Sequence, residues 1–253
     1  MLGELRNLQS GFIRKRLIEA HIYPNAIRSA FRAWIQVLIE QAGPPAPVLC
    51  NKDPLAFIEL ELLGKMFPEA KFIHMVRDGR AVTDSMIRRG IRMHTNLSTP
   101  EEIFHRWESI TNSILDQCLK LTAKRCVTVP YEQLVLQPER TMRHILSFLD
   151  VPWDPVVLNH EKFVKKITIL SRMEPSTEQV QYPIHLAGLT TWAGPRSILP
   201  KKFMKNIQKN SRLMQLLGYV KLTDPNDYGQ TEPRLAQRTQ ELLRDPNFLR
   251  LLE

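Results

Sequence analysis

The chain has 253 residues, 43% apolar and 24% charged, enough for a sizeable core in one large domain or two small ones. Its net charge of +9 favours anionic partners, but the basic residues are scattered and form no zinc-finger, basic-zipper or RNA-recognition pattern, so no nucleic acid is expected. No run approaches the ~18–20 apolar residues of a membrane span, no signal peptide is recognisable, and three cysteines without CxxC spacing leave no metal site expected.

In chain order, Asn25 is predicted to cap a helix with Ile27, Phe31, Trp34, Leu38 and Ile39 on one face, stopping at Gly43. A short apolar strand over 48–52 follows. Asp53 is then placed as an N-cap with Pro54 at the first helical position, and Leu55, Ile58, Leu62 and Met66 point inward. Pro68 ends that helix. A strand from Phe72 to Val76 runs into Arg77-Asp78-Gly79-Arg80 and a helix bearing Ser85, Arg88 and Arg89. Ser-Thr-Pro-Glu-Glu at 98–102 reads as a capping box, with Thr99 at the cap and Glu102 reaching back. Its helix extends to about residue 121, with Ile103, Trp107, Ile110, Ile114, Cys118 and Leu121 at helical spacing. A strand over 126–134, a helix over 138–150 and a turn at Val-Pro-Trp-Asp-Pro come next. Residues 162–200 look irregular, and basic amphipathic helices near 201–217 and 234–252 close the chain.

Strands alternating with helices imply a parallel α/β sheet with right-handed crossovers, whose ligands bind beyond the C-terminal strand ends. That edge collects Lys52, Arg77, Arg80 and the stretch around Tyr131. The helix after Gly79 offers free N–H groups and a positive dipole end, and Ser85 and Arg89 share one of its faces. Arg77, a hydroxyl and a second arginine can then surround one phosphate. The competing reading pairs Arg77 with Asp78 or another carboxylate and leaves Arg89 solvated; spacing alone favours neither. Lys52 would neutralise charge on a leaving group, or simply snorkel past the sheet edge. Cys118 and Cys126 stand eight apart, where a disulfide can close a short loop; buried free thiols are the alternative, and Cys50 is left over. Asn96-Leu97-Ser98 is a glycosylation sequon in a polar loop.

The segments LCNKDP, FPEAKFIHMVRDGRAVTDSMIRR, YEQLVLQPER, FLDVPWD, STEQV and LGY…DPNDYG, in this order over roughly 30–230, resemble the tyrosylprotein sulfotransferases. The resemblance implies a parallel α/β sheet flanked by helices, of the sulfotransferase and nucleotide-kinase-like type. It implies sulfuryl transfer from 3′-phosphoadenosine 5′-phosphosulfate to tyrosine hydroxyls of secretory proteins, usually in acidic contexts, in the Golgi lumen, without a metal. Arg77, Ser85 and Arg89 then match residues that hold the donor's 3′-phosphate, and Tyr131 a donor-site tyrosine. Lys52 matches the lysine that stabilises transition-state charge. Ser176 matches the serine beside the sulfuryl group, with Thr177 and Gln179 completing that side of the donor site. Cys118 and Cys126 match a disulfide pair, and a homodimer is left open.

The family's Pro-Arg-Ser-Gly-Thr-Thr loop and the glutamate base that follows it have no counterpart in these residues. The chain is therefore expected to be one N-terminally truncated, incomplete sulfotransferase domain over 1–253, with the partner of Cys50 on the missing segment. An interrupted sheet of that kind is expected to be marginally stable alone. Thr191 stands where the family has lysine and Pro175 where it has arginine, each expected to weaken donor binding by about 1.5–3 kcal/mol. The alternative function is a non-catalytic relative that binds the nucleotide or an acidic peptide.

Overall fold

The computed structural model describes residues 12–53, 56–91, 99–164, 177–193, 197–221 and 228–250. It falls into two compact units, Met1–Phe72 with Ser113–Cys126, and Ile73–Asn112 with Val127–Glu253.

The first unit opens with α1 (Phe12–Glu19), α2 (Asn25–Gln41) and, after a 3-10 turn at Ala56–Glu59, α3 (Leu60–Met66). Pro24 occupies the N-cap of α2, so Asn25 is its first helical residue and makes no cap. The buried row of α2 is Phe31 and Ile35, flanked by Ile27 and Ile39, packed on Met66 and its neighbours. Trp34 and Leu38, expected inward, are 40% and 43% exposed. Both rows satisfy helical spacing; contact with α3 selects one. No strand forms over 48–52. A strand needs a neighbour's N–H and C=O groups, and the two described strands pair with each other. Val48 and Leu49 are accordingly exposed. Pro54 and Leu55, where a helix is expected to begin, lie outside the described residues; past the 3-10 turn regular α-geometry runs from Leu60, Ile58 is exposed, and Leu60, Gly64 and Met66 form the buried face.

Gly64 is required by close approach, since a Cβ there would lie 2.3 Å from the Leu121 side chain. The Arg125 guanidinium closes the same end of α3, donating to the carbonyls of Gly64, Phe67 and Ala70 at 2.7–3.2 Å. A cation on those carbonyls satisfies the acceptors a helix leaves unpaired at its C-terminus. Cys118 and Cys126 form a disulfide inside a cluster with Leu60 and Leu121.

β1 (Phe72–Val76) and β2 (Cys126–Pro130), which except for their first residues belong to the second unit, form a parallel pair. Between them in the chain run α4 (Gly79–Arg88), in the second unit, and α5 (Pro100–Leu121), which belongs to the second unit as far as Asn112. The capping box of α5 forms as read: Thr99 N–H donates to Glu102, and Glu102 N–H to the Thr99 hydroxyl. β2 stops at Pro130, four residues short of expectation, and Tyr131 opens α6 (Tyr131–Leu136). Proline has no N–H for the ladder, and its extended φ of −66° and ψ of 126° suit an N-cap. Then come α7 (Pro138–Leu149) and a 3-10 stretch at Pro155–Lys162, which Asp154 caps through the Val156 N–H.

The rest of this unit is helical in short pieces. A 3-10 turn at Thr177–Gln181 precedes α8 (Ala187–Thr190), α9 (Lys201–Asn210) and α10 (Arg212–Leu216). After a 3-10 turn at Tyr219–Lys221 follow α11 (Pro233–Leu242) and α12 (Pro246–Arg250). The basic helix expected over 201–217 thus breaks at Ser211, whose extended ψ of 109° and hydroxyl, accepting from Met214 N–H, start a new helix. Gly79 begins α4 because a Cβ there would lie 2.5 Å from Trp107 and 2.7 Å from Phe104. Those two rings lie tilted against each other with centres 5.3 Å apart, and Phe203 of α9 meets Phe104 edge-on at 5.8 Å.

Candidate anion-binding site at the end of β1

Asp78 caps α4 by accepting the Arg80 N–H, and its carboxylate also takes the Arg80 guanidinium at 2.6–3.2 Å. The Tyr228 hydroxyl donates to the same carboxylate at 2.7 Å. Asp78 N–H donates to Glu132 at 2.9 Å, and the Tyr219 hydroxyl donates to the other Glu132 oxygen at 2.8 Å. Arg80 also reaches the Tyr219 carbonyl and stacks 4.0 Å over Trp192. All of this is buried: Asp78 is 0%, Arg80 2% and Glu132 2% exposed. Burial pushes the Glu132 carboxyl up, and burial together with the nearby carboxylates pushes the Tyr219 and Tyr228 hydroxyls up. Arg80, placed at the ligand edge by sequence reasoning, is therefore a structural cation whose charge Asp78 takes up.

Fixing Asp78 to Glu132 fixes the residues beside them, Arg77 and Tyr131. The Arg77 guanidinium lies 4.7 Å from the Tyr131 ring centre and donates to the Gly188 carbonyl. Its Nε is buried without a partner among the described residues. Gly188 leaves room for this: a Cβ there would stand 3.1 Å from the Tyr131 hydroxyl and 3.4 Å from the guanidinium. Arg89, just past the end of α4, is half-buried, and its affinity for its proton is lowered first by desolvation and then by the Arg77 charge. Among the described residues neither Arg77 nor Arg89 has a carboxylate partner, whereas Arg88 pairs with Asp84 at 2.8 Å. The alternative in which Asp78 neutralises Arg77 is thereby excluded.

Ser85 is half-buried on α4, one turn before Arg89. His185 belongs to the same neighbourhood. Burial first, then the charges of Arg77 and Arg89, lower its imidazole to about 4. Two cations that repel one another beside a neutral imidazole, with a buried donor unpaired among the described residues, fit an anion.

Lys52 is exposed in the first unit, in a stretch without regular structure rather than at a strand end. Gln179 is half-buried in the 3-10 turn that Thr177 begins; the Thr177 side chain, Ser176, Pro175 and the sequon at 96–98 lie outside the described residues. Thr191 is half-buried, and Trp192 beneath Arg80 is 1% exposed. Cys50 is an exposed free cysteine rather than a buried thiol. His185 and Gly188 escaped the sequence reading because nothing local marks them: Gly188 meets Arg77 across 111 residues.

Residues 5–155 match the model of the sulfotransferase family. Protein-tyrosine sulfotransferase 1 of Danio rerio is 38% identical over 241 residues, 94% of this chain and 67% of that protein. The protein-tyrosine sulfotransferase of Drosophila melanogaster is 37% identical over 90% of this chain and 46% of its own length. Protein-tyrosine sulfotransferase 1 of Homo sapiens is 36% identical over 93% and 65%. The chain thus spans between about half and two thirds of these relatives. Among solved structures, a sulfotransferase domain from the curacin biosynthetic pathway covers 59% of this chain and 65% of its own, at 20% identity and a TM-score of 0.43. With 38% identity carried across nearly its whole length and a family match over residues 5–155, this chain belongs to the sulfotransferase family, among the protein-tyrosine sulfotransferases.

Proposed function

We propose that the protein transfers a sulfuryl group from 3′-phosphoadenosine 5′-phosphosulfate to tyrosine hydroxyls of acidic segments in secretory proteins, in the Golgi lumen. The observation that carries this is the pair Arg77, at the end of β1, and Arg89, at the end of α4, neither of them neutralised by a carboxylate among the described residues. The buried Arg77 Nε, unpartnered among the described residues, supports a resident acceptor oxygen. Arg77, Ser85, Arg89 and Tyr131 hold the 3′-phosphate in this reading, the arginines by charge-assisted hydrogen bonds and the tyrosine ring by orienting Arg77. Ser176, Thr177 and Gln179 serve the sulfuryl end. Lys52 offsets the charge that grows on the departing nucleotide. The donor supplies the sulfuryl group and leaves as adenosine 3′,5′-bisphosphate. A net charge of +9 suits acidic peptides.

Lys52→Ala tests the assignment. Transfer of labelled sulfate to an acidic tyrosine peptide should fall by roughly 10²–10³-fold, while binding of adenosine 3′,5′-bisphosphate is unchanged. Equal transfer by the variant would remove Lys52 from the mechanism. Nucleotide binding without transfer by the wild-type chain would favour the non-catalytic reading.

A further inference from the structure

We propose that His185 is a third ligand of the anion held by Arg77 and Arg89, taking a proton from solvent as the phosphate binds and donating an N–H bond to it. This rests on the donor-site reading above and goes beyond it by naming a residue and a proton.

The placement carries the inference. His185 sits three residues before Gly188, whose carbonyl accepts from Arg77. Its ring packs edge-on against Phe248 of α12 at 4.8 Å, and the next backbone N–H, of Leu186, is held by the Thr239 hydroxyl of α11 at 2.9 Å. Among the described residues its Nδ1 is buried with no partner, as is the Nε of Arg77. Two buried, unpartnered nitrogens in one cationic neighbourhood are costly unless a shared acceptor enters.

The charged groups that act on the imidazole are Arg77, from the end of β1, and Arg89, from the end of α4. α12 presents a phenyl ring to it, α11 holds its neighbour through a hydroxyl, and no carboxylate among the described residues acts on it. In the free protein the ring is therefore neutral near neutral pH. A phosphate dianion cancels the charges of Arg77 and Arg89, and its oxygen accepts a hydrogen bond from the protonated ring, so the same ring gains a proton. The balance is one proton from solvent to the imidazole, whose N–H then points at a phosphate oxygen. Such a site binds a dianion more strongly as pH falls, which two arginines alone would not do.

The test is calorimetric titration of the full chain with adenosine 3′,5′-bisphosphate near neutral pH, in two buffers of different ionisation heat, for wild type and His185→Gln. The wild type is expected to take up protons on binding. The variant should take up markedly fewer and bind roughly tenfold or more weakly, the loss of one charged hydrogen bond. Adenosine 5′-phosphate, without the 3′-phosphate, should show no proton uptake that depends on His185. Equal affinity and proton uptake in both proteins would overturn the proposal while leaving the donor site standing. Absence of binding by the wild type would overturn the donor-site reading, and this proposal with it. Should the variant fail to fold, imidazole resonances of the wild type decide: a His185 ring that stays neutral in the complex near neutral pH contradicts the proposal.

Discussion

Arg77 and Arg80 stand three apart in one short motif and have opposite fates. Asp78 commits both oxygens to Arg80 and Tyr228, so Arg80 is buried and spent, and Arg77 keeps its charge for a ligand. Arg80→Ala should therefore cost stability before it costs binding. It leaves Asp78 as a buried charge without its ion partner, a loss of about 3–5 kcal/mol, readable as a lower denaturation midpoint. A fully stable Arg80→Ala protein would contradict the network. The motif by itself announced an anion, but not which arginine meets it. That choice is made by Tyr228 and Glu132, 150 and 54 residues away, and no local pattern contains it.

Elements were legible where the signal is local. The box at Thr99 and Glu102 needs only four adjacent residues, and α5 starts where they place it. The stretch over 48–52 has strand composition but no partner ladder, and pairing is not a local property. Gly79 shows how packing reaches the site through an element. It lets α4 begin against Phe104 and Trp107, and α4 leads through Ser85 to Arg89. Gly79→Ala should destabilise the fold by about 1–3 kcal/mol through overpacking. It should also weaken nucleotide binding by displacing Ser85 and Arg89. An unchanged melting temperature would show that the aromatic pair yields more readily than the static contacts allow.

Across the molecule, pH acts through groups that burial has shifted in opposite directions. His74, 7% exposed beside Thr128, and His185 both titrate near 4 in the folded state, below the 6.5 of an exposed imidazole. The folded state binds fewer protons at these positions, so their stability is present above the unfolded value and is lost as pH falls toward 4. Each loss is on the order of 2 kcal/mol between about pH 6.5 and 4.5. Glu132 has the opposite sign: its raised carboxyl favours the folded state at low pH, a contribution lost as pH rises above the ordinary 4.5. The denaturation midpoint should fall on acidification through this window, and more steeply in Glu132→Gln, where the opposing contribution is gone. A flat profile in both proteins would mean that neither imidazole is buried as the structure has it.

The central claim is that Arg77 and Arg89 read a 3′-phosphate, and nucleotide affinity measures it most directly. Adenosine 3′,5′-bisphosphate should bind the wild-type chain at least tenfold more tightly than adenosine 5′-phosphate. Arg77→Ala or Arg89→Ala should erase that preference, each removing about 1.5–3 kcal/mol from bisphosphate binding and little from the monophosphate. Equal affinity of the wild type for the two nucleotides, or a preference that survives both substitutions, would contradict it.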